Sequence, residues 1–141
     1  MFGFGKKKRA IRSKKLAKRI LKQSDKVAKR TLKKTEPQRK WDAIFEAGYP
    51  LWQKGEASRK AGDVYTAIGY YEQARQLGYT VPALYESYAM AYRKMGDIPN
   101  EIAIIEEGIE RLTEINGKAG DMSTGLRTLN ERLVKAKAKL N

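Results

Sequence analysis

The sequence predicts an all-α fold: a helical body with a basic helix ahead of it and a capping helix at its end. Three observations lead there. Apolar residues recur three, four and seven positions apart along nearly the whole chain, glycines and prolines stand where helices of ordinary length would start and stop, and the middle of the chain resembles itself at a fixed spacing of 34 residues. No stretch shows the strict alternation of a strand.

The first element is an arm, residues 1–35. After Met1-Phe2-Gly3-Phe4-Gly5, residues 6–34 hold 15 Lys/Arg and a single acid, interleaved with Ala10, Ile11, Leu16, Ala17, Ile20, Leu21, Val27, Ala28 and Leu32. This spacing sets the apolar residues along one stripe of a helix with cations elsewhere. No Gly or Pro interrupts it between Lys6 and Glu36, but repulsion among the cations makes such a helix marginal unless a partner neutralises it.

The second element, residues 36–141, is the body. Thr35-Glu36-Pro37 reads as a break and a new start, because proline suits a first helical turn and disfavours helix at the residue before it. Trp41, Ile44 and Phe45 then line a short helix over 37–47 that stops near Gly48. Pro50 opens another, carrying Leu51, Trp52 and Gly55 and turned at Gly62-Asp63. A third contains Ala67, Ile68, Tyr71, Ala74 and Leu77 and closes at Gly78. The fourth runs from Pro82 with Leu84, Tyr85, Tyr88, Ala89 and Tyr92 to Gly96-Asp97, and Pro99 begins the fifth with Ile102, Ile105 and Ile109. Beyond the loop Asn116–Asp121, a sixth over 122–140 carries the seam Leu126, Leu129, Leu133 and Leu140. Such a seam spans barely two heptads, short for a coiled coil and suited to a capping face.

The period lies in this body. Laying residues 48–81 on 82–115 pairs Ala57 with Ala91, Arg59-Lys60 with Arg93-Lys94, Gly62-Asp63 with Gly96-Asp97, Ile68 with Ile102 and Glu72 with Glu106. Five of these seven identities fall within seven residues, around the turn, where a repeated helix pair needs the same backbone.

On these residues the chain resembles the tetratricopeptide-repeat family, whose unit is a 34-residue helix-turn-helix with small residues in both helices and a Gly-Asp turn. Leu51, Gly55, Gly62-Asp63, Ala67, Tyr71 and Ala74 carry the likeness in the first unit. Tyr85, Tyr88, Ala89, Tyr92, Gly96-Asp97, Ile105 and Gly108 carry it in the second, which has Glu101 where the family has a small residue. The resemblance implies antiparallel helix pairs stacked as a superhelix. Two units are fewer than such stacks use, so the flanking helices supply core or the chain pairs with itself.

The resemblance also implies a groove, lined by the first helix of each unit, that receives a peptide or a partner's helix. By register the lining is Tyr49, Trp52, Gln53, Glu56, Arg59 and Lys60, then Ala83, Glu86, Ser87, Met90, Arg93 and Lys94. The family's carboxylate-clamp members place Lys and Asn where this chain has Trp52, Glu56, Glu86 and Met90, so a different ligand is expected. Trp52 and Met90 suit a hydrophobic anchor, and Arg59 and Arg93 suit acidic partner residues. Each also has a purely structural reading: Trp52 as core, and Arg59-Lys60 and Arg93-Lys94 as cations in final helical turns, where the helix dipole favours them.

Charge divides the chain in the same place as the pattern. Residues 1–40 hold 17 Lys/Arg against Asp25 and Glu36, whereas residues 41–141 hold 13 against 14 acids. The whole excess of +14 therefore belongs to the arm. Its cations are Lys6, Lys7, Lys8, Arg9, Arg12, Lys14, Lys15, Lys18, Arg19, Lys22, Lys26, Lys29, Arg30, Lys33 and Lys34. Cation density by itself favours nucleic acid or a nucleoprotein through counterion release. An anionic membrane surface is the alternative, suited to an amphipathic basic helix with Phe2 and Phe4 ahead of it. A targeting presequence fits less well, as residues 6–34 have only four arginines and two serines.

There are no cysteines and no histidines, so thiol chemistry, histidine bases and Cys/His metal sites are excluded, and no Gly-rich phosphate loop is present. The expectation is a non-enzymatic adaptor without cofactor. With no apolar leader and cleavage site at the amino terminus, a cytoplasmic location is expected.

Overall fold

The computed structural model describes residues 14–23 and 35–140, and among these every regular element is a helix. Packing divides the chain into two units, residues 1–39 and 40–141. In the first, residues 14–23 are helical, and the remainder of the expected arm helix lies outside the described residues.

Helix α1 spans Glu36–Lys60. Thr35 opens it with a reciprocal cap: Gln38 N–H donates to Thr35 Oγ1 (3.3 Å) and Thr35 N–H donates to Gln38 Oε1 (3.0 Å). The expected stop at Gly48 and restart at Pro50 do not occur. One helix of 25 residues runs through both, so the two helices expected over 37–61 are one. Pro50 lacks the N–H that would bond the Glu46 carbonyl, a defect of about 3 kcal/mol against alanine in a helix interior. Packing on both sides of it outweighs this. Trp41 and Ile44 before the proline, and Leu51 and Trp52 after it, lie partly buried against the core, and each contributes a part of the stabilisation, about 1.5–3 kcal/mol, that full burial of a large side chain gives. Gly48 is buried because the Tyr79 ring lies on it, and a Cβ there would stand 2.5 Å from Tyr79 Cγ.

Helices α2 (Val64–Gln76), α3 (Pro82–Met95) and α4 (Ile98–Ile115) follow. The turns leading into α2 and α4 are the same object 34 residues apart. Gly62 and Gly96 take φ of +89° and +76°. Gly62 N–H donates to Arg59 O and Asp63 N–H to Ser58 O, as Gly96 N–H donates to Arg93 O and Asp97 N–H to Tyr92 O, closing each helix with a Schellman motif. Asp63 and Asp97 then cap the next helix, their Oδ1 atoms accepting from Thr66 N–H (3.1 Å) and Asn100 N–H (3.2 Å).

Each helix pair is closed by a glycine under a tyrosine. A Cβ at Gly55 of α1 would stand 2.4 Å from Tyr71 Cε1 of α2, and one at Gly108 of α4 would stand 2.7 Å from Tyr85 Cγ of α3. The backbones can approach at these crossings only because that atom is missing. Packing then proceeds from α2 to α3, α3 to α4 and α4 to α5 (Ser123–Ala138), with α5 also touching α3. There Gly125 lies against the Pro82 ring and Leu129 is fully buried. The expected seam ends differently: Leu126 and Leu133 pack on the core, but Leu140 is 58% exposed and Ala136 takes the buried place. Leu140 follows the end of α5, where the chain has run past the helices it packs on.

Candidate functional site

The groove expected from the resemblance is only partly brought together. On α1, Tyr49, Trp52, Gln53, Glu56 and Arg59 lie within one arc of the helix and share a face. Phe45, expected on one helix face with Trp41 and Ile44, is half-exposed and begins an aromatic ladder on the face of Tyr49 and Trp52. Its ring stacks on Tyr49 (5.4 Å between centroids, 13° between planes), and Tyr49 stacks on Trp52 (5.7 Å, 30°). Trp52 is placed between its two readings, against the core and on a cleft. It packs against the core, its Nε1–H is buried without an acceptor, and it lines a cleft of about 370 Å³ with Gln53, Glu56, Ala57 and Lys60.

Glu56 and Arg59 are engaged with each other. Arg59 Nη2 donates to Glu56 Oε2 (2.8 Å), and the Tyr71 hydroxyl donates to Glu56 Oε1 (2.6 Å). Burial alone would raise the Glu56 carboxyl, but hydrogen bonds from Arg59, Ser87 and Tyr71 and the Arg59 charge outweigh it and hold the group below its ordinary value. Any other acid brought to Arg59 would compete with Glu56. On α3, Ser87 is buried, and Ala83, Glu86 and Met90 are half-buried. Arg93 belongs to another cavity, of about 210 Å³, whose wall is α5 with Arg132 and Lys135. Within it Glu101, at the position equivalent to the fully buried Ala67, is 3% exposed, and its Oε2 is buried without a hydrogen-bond partner.

A second cleft, of about 240 Å³, is one that sequence reasoning missed. Trp41, Ile44 and Phe45 of α1 face Tyr79 and Val81 of the α2–α3 connection and Met122 ahead of α5. The signal for it was Gly48, read as a helix end and in fact the seat of Tyr79.

A polar network ties α2 to α4. Both Arg75 Nε and Arg75 Nη2 donate to the Glu107 carboxylate, the Tyr85 hydroxyl reaches it at 3.3 Å, and Arg75 Nη1 donates to Glu72 Oε1 (2.9 Å). The hydrogen bond from Arg75, with the Arg75 and Arg111 charges and the Tyr85 hydroxyl, holds the Glu107 carboxyl below its ordinary value against the opposing effect of burial. The consequence for pH follows from the sign. Glu56 and Glu107 both titrate lower in the folded chain than the ordinary 4.5, so their stabilisation is complete above that value and is lost as pH falls through the folded values. The urea midpoint is therefore expected to fall between about pH 5 and about pH 3, and less so in Glu107→Gln. An equal loss in that variant would remove Glu107 from the account.

In the first unit, Lys14, Lys15, Lys18, Arg19 and Lys22 are exposed on the helical residues 14–23. Lys6, Lys7, Lys8, Arg9, Arg12, Lys26, Lys29, Arg30, Lys33 and Lys34 lie outside the described residues. Among the described residues no group of three His, Cys, Asp or Glu side chains is placed to hold a metal ion, and no helix is long and apolar enough to cross a membrane.

No family model, curated protein or solved structure matches the chain.

Proposed function

We propose that the protein is a non-enzymatic adaptor. Its body of tetratricopeptide-like helix pairs takes a protein partner, and its basic arm tethers that assembly to an anionic partner. The observation that carries this reading is the partition of charge: 17 cations against two acids in residues 1–40, and near-neutrality in the rest. A chain that needed charge only for solubility would spread it. Support for the repeat comes from the two Gly-Asp turns, identical in hydrogen bonding 34 residues apart, and from the glycine–tyrosine crossing in each helix pair. For the body, the Phe45–Tyr49–Trp52 ladder is the surface offered to a partner. Rigid stacked aromatics beside a cleft anchor an apolar side chain at little entropic cost.

For the arm, cation density by itself points to nucleic acid or a nucleoprotein. The test is binding of a labelled duplex by the intact chain and by a chain starting at Glu36, followed across salt. The intact chain is expected to bind with log K falling linearly in log salt, at a slope of about 0.9 per phosphate neutralised, and the shortened chain to lose that slope. Equal binding by the two would remove the arm from the contact.

A further inference from the structure

The helical residues 14–23 carry more than charge. Leu16, Ile20 and Leu21 are 58%, 55% and 64% exposed. At the helical advance of about 100° per residue, Leu16, Ile20, Ala17 and Leu21 fill one arc of about 140°. Lys18, Lys22, Lys15 and Arg19 occupy the opposite side, and Lys14 stands at the border. The same spacing continues in the sequence at Val27, Ala28 and Leu32, which lie outside the described residues.

Nucleic acid and lipid make different demands on such a helix. Phosphates are neutralised by cations wherever these sit around the axis, and contact with them leaves an apolar arc in water. The interface of an anionic bilayer uses both sides: apolar side chains enter the acyl boundary while lysines meet the headgroups, their stems reaching back to the surface. No described helix is long and apolar enough to cross a bilayer, so a bilayer contact by residues 14–23 would be superficial.

We infer that residues 14–23 form an in-plane anchor that lays Leu16, Ala17, Ile20 and Leu21 into the surface of an anionic lipid bilayer, with Lys15, Lys18, Arg19 and Lys22 on the headgroups. This rests on the adaptor reading of the arm as a tether, and for residues 14–23 it puts an anionic lipid surface in place of the nucleic acid that cation density by itself favours.

The test uses the full chain, sedimented with phosphatidylglycerol vesicles and with phosphatidylcholine vesicles, and titrated separately into duplex DNA. Salt is raised from about 0.1 M to about 1 M, which shortens the screening length from about 10 Å to about 3 Å. Binding to phosphatidylglycerol is expected to weaken but persist, because apolar insertion is not screened. The triple variant Leu16→Ser, Ile20→Ser, Leu21→Ser keeps every charge and is expected to lose vesicle binding at least about tenfold while leaving any DNA binding unchanged. Because the chain has no cysteine, Ile20→Cys and Lys18→Cys each provide a single site for an environment-sensitive fluorophore. The label at residue 20 is expected to shift to the blue on phosphatidylglycerol vesicles and the label at residue 18 to stay water-like. This readout does not depend on how the triple variant folds. Equal vesicle binding by the triple variant and the wild type, or equal shifts at 18 and 20, would overturn the anchor. Binding to DNA with none to vesicles would overturn it and leave the tether standing. Binding to neither would overturn both.

Discussion

Gly55→Val is expected to cost the body about 3 kcal/mol, read as a lower urea midpoint at unchanged slope. The Cβ would land 2.4 Å from Tyr71 Cε1, in a ring that is fully buried and so has no free direction to swing. Its hydroxyl is also held, donating to Glu56 Oε1 at 2.6 Å. Relief requires α1 and α2 to separate, which strips contacts on both sides of the crossing. Tyr71→Ala is expected to cost a similar or larger amount, about 3–5 kcal/mol, for the opposite reason, a cavity where the ring was. Because the two residues occupy one space, their effects should not add. Gly55→Ala combined with Tyr71→Leu is expected to be less destabilising than the sum of its parts by at least about 0.5 kcal/mol. Simple additivity, or a Gly55→Val chain as stable as the wild type, would mean that this crossing does not set the helix separation.

The second large effect is expected at the far end of the body. Leu129→Ala should cost about 2–5 kcal/mol, since its side chain is fully buried among the helices that α5 covers. Leu140→Ala should cost less than about 0.5 kcal/mol, since that side chain is exposed. The pair sets the same substitution at two leucines of one sequence seam, one buried within α5 and one exposed just beyond its end. Helix α5 packs on α4 and α3, placing Gly125 on Pro82 and Leu129 and Ala136 inside. If both variants unfold at the wild-type midpoint, α5 is not part of the core.

Much of this body is legible in its residues. Gly62-Asp63 and Gly96-Asp97 announce helix ends because only glycine takes positive φ without strain and aspartate accepts from the next helix's first turn. Thr35 and Gln38 mark the start of α1 by the same local logic. The candidate surfaces are less legible. Phe45 and Trp41 sit on one helix at helical spacing, yet one is half-exposed in a stack and the other lies on the core. Arg59 and Arg93 are equivalent in the repeat, yet one is held by Glu56 and the other lines a cavity against α5. Their neighbours in space come from other parts of the chain, and nothing local distinguishes them.

By itself the sequence determined that the fold is helical, where the repeated turns fall, and that the net positive charge belongs to the arm. All three depend on interactions within a few residues: periodicity, backbone permissiveness and capping, and composition. Only the tertiary structure decided that α1 runs unbroken through Pro50, that Gly48 seats Tyr79, that Ala136 replaces Leu140 in the core and that Glu101 is buried with an unpartnered oxygen. In each of these, contacts between residues distant in sequence outweigh a local preference of a few kcal/mol.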